Sequence, residues 1–495
     1  MTQKIIAASL CAGLLLPVAA RADQVSDLSA LRAQMLQMQK DYAARMAALE
    51  KRLVKAEGEA AAARKTASAA STTAKTAAVS AAKSEAKLAA VPPAAPLATV
   101  AAAAPLPAPA EPPADLALAS LEPPPAPPAP TATSNNSFNP GIAAVLNGFY
   151  RVATPNRGNT RIAGIQGGDD ITRPPRGFSI GESEVSFTAN IDPFMSGFLD
   201  ISFNNANQPS VEEAYILSKD LPWGLTAKAG RFLSGIGYIN ERHSHDWLFS
   251  DAPLPYRAFL NNQYGDDGLQ VRWLAPTEQF LEFGAEVFRG DAYPAAGARN
   301  VGAGTYTAFV HTGNDINDSS SWLAAASYLH SDASQRLNSD DFSQFSGTTD
   351  LGIMSAVYKW APGGNPTVRN LSLTSEVFFD RQAGVFNPNA ASLVRVNQGR
   401  WGGYVQGDYQ FMPRWSLGLR YAALGTSPVP VPLGGSDLDD LGHTGNDTTA
   451  MLEFDSSEFG RFRASYSHDE AGFKPIDELL LQYTVIYGPH GAHRY

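Results

Sequence analysis

From Asn139 onward the chain is written in segments of about ten residues in which apolar and polar side chains alternate, with turn residues between them. Val185, Phe187, Ala189 and Ile191 alternate with Glu184, Ser186, Thr188 and Asn190. Leu269, Val271 and Trp273 alternate with Gln270 and Arg272, and Leu281, Phe283, Ala285 and Val287 with Glu282, Gly284 and Glu286. The same pattern returns at 415–421 and 461–467. Successive side chains of a strand point to opposite faces, so each segment carries one apolar face and one polar or charged face. The connections mostly alternate in length. Short ones are Asp192-Pro-Phe, Leu221-Pro-Trp-Gly, Ala275-Pro-Thr-Glu, Met412-Pro-Arg and Ser456-Ser-Glu-Phe. Long ones span 154–176, 234–264, 290–302, 331–348, 381–397 and 425–445, and Asn207-Gln-Pro is a short link where a long one is due. A soluble sandwich also alternates, but short turns on one side and long loops on the other describe a closed barrel in a membrane.

Strands are expected at 141–153, 177–191, 196–206, 210–220, 224–233, 266–275, 279–289, 303–312, 320–330, 350–360, 369–380, 398–411, 414–424, 447–455, 460–469 and 478–488. The fold class is therefore all-β: an antiparallel transmembrane β-barrel of about 16 strands over 140–495. A barrel of that size is expected to enclose an aqueous lumen.

The front of the chain cannot join that core. Tyr42 is the only aromatic residue before Phe138, and a stretch so poor in aromatics builds no packed interior. Residues 1–22 read as a secretory signal: Lys4, an apolar run from Ile5 to Ala20, and an Ala20-Arg21-Ala22 cleavage site. The single cysteine, Cys11, lies within it, which excludes thiol catalysis and disulfides from the mature chain. Residues 23–64 read as a coiled-coil helix, with Leu28, Leu31, Met35, Met38 and Tyr42 in one seam and Met46, Leu49, Leu53 and Ala56 in a shifted one. So narrow a stripe gains stability by pairing, which points to a homotrimer. Residues 65–139 form a low-complexity linker, Ala/Lys-rich and then Pro/Ala-rich, able to span on the order of 100 Å.

The 16-strand count, a large third long connection and a closing strand with Leu479, Leu481, Tyr483, Val485 and Tyr487 on one face before the terminal Tyr495 resemble outer-membrane porins. The coiled-coil front end makes the chain similar to the phosphate- and dicarboxylate-selective trimeric kind. Gly177-Phe-Ser-Ile-Gly-Glu-Ser-Glu, Lys228-Ala-Gly-Arg-Phe-Leu-Ser-Gly-Ile-Gly-Tyr and Trp273-Leu-Ala-Pro-Thr also resemble proteins described as zinc-regulated outer-membrane receptors. The barrel segment is too short for the about 22 strands of an energised, plugged transporter. The resemblance implies an outer-membrane porin of a Gram-negative bacterium, with its N-terminal region in the periplasm. Such a porin passes small hydrophilic solutes or ions passively, and its third loop folds inward as the constriction. Here that loop is 234–264.

Lumen charges set selectivity at close range. The expected constriction and lumen residues are Lys228, Arg242, Asp246, Asp251, Arg257, Arg272, Glu282, Glu286, Arg420, Arg461 and Arg463, with Glu184, Asp200, Glu213, Lys359, Glu376, Asp408 and Glu453 also facing inward. No basic ladder for phosphate is evident, and a net charge of −10 favours cations or neutral solutes. His243-Ser-His245-Asp246 adds imidazoles and a carboxylate, donors suited to zinc, copper or nickel. That sequence is open to two readings, a metal site or ordinary loop packing. His490 and His493 form a second pair. No nucleophile stands in a matching His/Asp arrangement, so no enzyme is expected and no resident cofactor, with zinc or another divalent metal as a conceivable cargo. The expected partners are outer-membrane lipid, two further copies of the chain and the cell wall through the N-terminal region, with no nucleic acid. Alternative readings are a metal-ion uptake channel and a structural tether between outer membrane and cell wall.

Overall fold

The alternating segments pair into one sheet closed on itself. The computed structural model describes residues 140–154, 161–168, 173–203, 209–219, 221–295, 302–337, 343–389 and 392–488. The signal, coiled-coil and linker readings, and His490 and His493, lie outside the described residues. The strands are β1 (Gly141–Thr154), β2 (Gly177–Ile180), β3 (Ser183–Asn190), β4 (Met195–Phe203), β5 (Pro209–Ser218), β6 (Leu225–Leu233), β7 (Gly265–Leu274), β8 (Phe280–Phe288), β9 (Thr305–Asn317), β10 (Ser320–Leu337), β11 (Gln344–Trp360), β12 (Asn370–Asn387), β13 (Val394–Met412), β14 (Trp415–Thr426), β15 (Gly445–Ser457), β16 (Gly460–Asp469) and β17 (Ile476–Tyr487). From β3 to β17 each strand pairs antiparallel with its sequence neighbours, and β1 closes the ring against β17. β2 and β3 both lie on the other edge of β1, so they share one position and the barrel has sixteen.

The outer face is apolar. Leu269, Val271 and Trp273 on β7, Leu417, Leu419 and Tyr421 on β14, and Leu479, Leu481, Tyr483 and Tyr487 on β17 are all exposed. In water such a belt is one large apolar patch, whereas in lipid it is a matched surface. Among the described residues no helix is long and apolar enough to cross a membrane. The strands do the crossing.

Three features differ from the sequence reading. First, the segment expected at 177–191 is broken. Ile180 faces Gly148 and Glu184 faces Val145, leaving Gly181, Glu182 and Ser183 opposite only Leu146 and Asn147. Second, most of 331–348 and 381–397 is strand rather than loop, so β10 to β13 run 17 to 19 residues against 8 to 10 for β3 to β8. Beyond the bilayer a strand no longer needs an apolar outer face, so the alternation fades while backbone pairing continues. Third, the long connection carries an apolar cluster into the lumen. Ile236, Ile239, Trp247, Leu254, Tyr256, Phe259, Leu260 and Tyr264 of the long connection form a buried cluster with Phe288, Phe309, Leu329, Leu351, Ile353, Phe378 and Tyr404 of the wall.

A short helix, α1 (Leu254–Leu260), sits at the centre of that cluster, and every one of its residues is buried. Seven residues are too few to hold a helix alone, so packing holds it. It opens on a proline within its first two positions and closes at Asn261 in the left-handed region, φ 54°. It lies against β13, where a Cβ on Gly402 would stand 3.1 Å from Phe259 and 3.2 Å from Pro255. The bare backbone there lets the helix approach.

Candidate functional site

The connection between β6 and β7, Ser234 to Tyr264, leaves one wall, crosses the lumen and is held on several others. Its base is closed by Asn240, whose amide donates to the carbonyls of Ser234 (2.7 Å) and Tyr264 (2.8 Å) and accepts from the Tyr264 N–H (2.7 Å). Glu286 on β8 receives the Gly235 N–H at 3.0 Å and the Ser234 hydroxyl. Across the barrel, Glu376 on β12 accepts four donors: Tyr238 N–H, Tyr256 O–H, Tyr404 O–H and Ser355 O–H. A fully buried carboxylate is tolerated because its oxygens are satisfied, and two of those bonds fix the loop.

The arginines expected to line the pore also grip the loop. Arg461 and Arg463 on β16 donate to the carbonyls of His245 (3.2 Å) and Trp247 (3.0 Å). Arg420 on β14 donates to both the Asp251 carbonyl (2.8 Å) and its carboxylate (2.6 Å). Arg257 of α1 reaches Asp469 at 3.2 Å. Lys228 on β6 lies 3.5 Å from Glu241, which also pairs with Arg272 on β7, and Arg272 stands 3.5 Å from Glu282 on β8. Arg242 stacks over Tyr238, 4.5 Å from the ring centroid. Asp246 and Asp251 keep the most solvent of the paired loop side chains, 37% and 27% exposed. Of the residues expected in the lumen, Glu184, Asp200, Arg257, Arg272, Glu282, Glu286, Glu376, Arg420, Arg461 and Arg463 are buried, and several of them hold the loop.

A second connection joins them. Arg173, in the stretch before β2, pairs with Asp469 (2.5 Å), Glu478 (2.9 Å) and Asp447 (3.3 Å), while Ile162 and Ile165 enter the apolar cluster. Arg173 gave no sequence signal, because its loop carried no pattern.

On the β3–β5 wall the loop presents its histidines to carboxylates. His243 Nε2 lies 3.0 Å from Glu213, and its Nδ1 lies 3.2 Å from Glu184, 3.4 Å from Asp200 and 3.9 Å from Glu212. His245 Nδ1 lies 3.1 Å from the other Glu184 oxygen. Ser244 donates to Glu182 at 2.8 Å. Burial is the largest single influence and opposes charge on both rings, but the facing carboxylates, Glu184 foremost, together outweigh it and raise both imidazoles above their ordinary range.

Two backbone irregularities build this wall. In β5, Asp200 faces Glu213 but Ile201 faces Val211, so Glu212 is the extra residue of a bulge. A bulge re-aims side chains, and here it brings adjacent Glu212 and Glu213 to the same imidazole. The break between β2 and β3 lies beside Glu182, which accepts from Ser244, and Glu184, which meets both imidazoles. Strict alternation from the inward Glu213 sends Glu212 outward, which is why it was missed, whereas Glu182 shares the parity of Glu184 and was passed over. Two adjacent acids in a lipid-facing strand were the available signal, since a charge on the lipid face is costly.

Among known proteins, the chain is 29% identical over 343 residues to an uncharacterized protein of Aquifex aeolicus (strain VF5), covering 64% of this chain and 70% of that one. No family model matches. Similar solved structures include the anion-selective porin from Comamonas acidovorans (TM-score 0.46, 9% identity, 70% of this chain and 99% of that one). The outer membrane channel DcaP of Acinetobacter baumannii (TM-score 0.45, 10% identity, 72% and 99%) and Salmonella typhi OmpF (TM-score 0.45, 12% identity, 72% and 99%) are others. At such scores the class rests on the strand pairing itself: a sixteen-position antiparallel barrel with an apolar outer belt and a loop across its lumen.

Proposed function

We propose that the chain is a passive channel of a Gram-negative outer membrane, with loop 234–264 as its constriction and small hydrophilic solutes, cations before anions, as its cargo. The observation that carries this reading is the closed barrel with loop 234–264 pinned across its lumen. The preference for cations is supported by the loop's most solvent-accessible paired side chains, Asp246 and Asp251, and by the guanidiniums being occupied in holding backbone and carboxylates. A cation approaching the loop meets the accessible carboxylates of Asp246 and Asp251, while Arg257, Arg272, Arg420, Arg461 and Arg463 are buried. The apolar cluster in the lumen calls for small conductance steps and a tight size limit. Purified full-length protein in planar bilayers should give small steps with a reversal potential displaced toward the cation. Anion selectivity would contradict the charge reading.

Assembly as a homotrimer through residues 23–64, with the N-terminal region in the periplasm, belongs to the same proposal. Light scattering of the detergent-solubilised chain should give three copies, and deletion of 23–137 should reduce that mass. An unchanged mass would remove the helix from assembly.

A further inference from the structure

The carboxylates around His243 are not paired as the other buried charges are. Among the described residues no lysine or arginine lies within ion-pairing distance of Glu182, Glu184, Asp200, Glu212 or Glu213, and the only cationic partners are the two imidazoles. Several carboxylates crowded on a low-dielectric wall repel one another. Asp200 is 1% exposed, yet its Oδ1 has no hydrogen-bond partner, and the same is true of Glu212 Oε2 and His243 Nδ1. A buried polar group left without a partner is costly. Three such atoms on neighbouring side chains point to one missing partner, and that partner must be positive and accept nitrogen and oxygen donors.

The geometry suits such an ion. Glu184, Asp200, Glu212 and His243 each bring one ligand atom to within 4.8 Å of the others. Ligands about 2 Å from a tetrahedral zinc stand roughly 3.3 Å apart. The separations of His243 Nδ1 from Glu184 and Asp200, 3.2 and 3.4 Å, match that edge, and Glu212 at 3.9 Å needs a small movement. The surroundings are those of a ligating histidine. Glu213 takes the Nε2 side of His243, so an ion that displaces the Nδ1 proton can bind that nitrogen, and His245 holds the second oxygen of Glu184.

We propose that His243, Glu184, Asp200 and Glu212 form a binding site for a divalent transition cation of the zinc type, inside the barrel and against the loop that crosses it. One imidazole with three carboxylates favours such an ion over calcium, which takes oxygen ligands alone. Binding would tie β3, β4 and β5 to the loop. The inference rests on the barrel and its loop and does not require conduction.

The test is calorimetric titration of zinc chloride into full-length protein in detergent after treatment with EDTA. The expected result is one high-affinity zinc per chain, weakened at least tenfold in Glu212→Gln and in His243→Ala and unchanged in the double variant His490→Ala/His493→Ala. Cobalt chloride should give visible absorption bands in the wild type that His243→Ala abolishes. Far-UV circular dichroism confirms that each variant retains its barrel. No zinc binding by the wild type, binding unchanged in both site variants, or binding lost with the C-terminal pair would each overturn the proposal. Calcium displacing zinc at equal concentration would also do so. Zinc binding without conductance would leave this site standing and remove the channel, and conductance without zinc binding would do the reverse.

Discussion

Two charge clusters hold the same loop and are built on opposite logic. One gathers Arg151, Arg173, Arg257 and Arg420 with Asp251, Asp447, Asp469 and Glu478, and its acids and bases pair one for one or better. The other gathers five carboxylates around His243 and His245 with no guanidinium or ammonium among the described residues. The balanced cluster is complete within the chain and acts as a clasp. The acidic one is complete only with protons or a cation. A buried pair is weak evidence for stability in itself, but breaking one leaves an uncompensated charge. The two clusters should therefore respond to substitution with opposite signs.

The largest effect is expected in the balanced cluster. Arg420→Ala leaves Asp251 and Asp447 facing each other without that guanidinium, and should cost about 3–5 kcal/mol. It should also free the loop segment around Asp251, read as faster amide exchange over 247–253. A cost below about 1 kcal/mol would mean that the clasp is not where the loop is held. In the acidic cluster the sign reverses. Glu212→Gln removes one of several like charges and should stabilise metal-free protein by on the order of 1 kcal/mol, seen as a higher melting temperature in EDTA. With zinc present the order should invert, the wild type melting above the variant, because binding to the folded state adds stability. Equal melting in both conditions would make the two clusters alike.

The barrel was legible in the sequence because lipid imposes one rule on its outer face, and the strands at 266–275, 414–424 and 478–488 obey it. Two classes of feature were not legible. A bulge inverts the inward–outward alternation without altering composition, so Glu213 was placed inside while its neighbour Glu212 fell on the outer face. The inward apolar residues Phe309, Leu329, Leu351 and Phe378 were also hidden, because the lumen was expected to be wet. Their trace is there in runs such as Val377-Phe378-Phe379, apolar on both faces, which an aqueous bore does not call for. The wall arginines add contacts to the loop that the sequence did not show. Arg420, Arg461 and Arg463 face inward as expected, but their donors are spent on Asp251, His245 and Trp247.

The central claim is that loop 234–264 is what narrows a barrel otherwise wide enough to conduct. Single-channel conductance in planar bilayers, comparing the wild type with a variant in which 236–262 are replaced by a short Gly/Ser link, tests it most directly. The account predicts small cation-favouring steps in the wild type and steps several-fold larger, with weakened selectivity, in the variant. Equal conductance in the two proteins, or silence in both with the barrel folded, would contradict it.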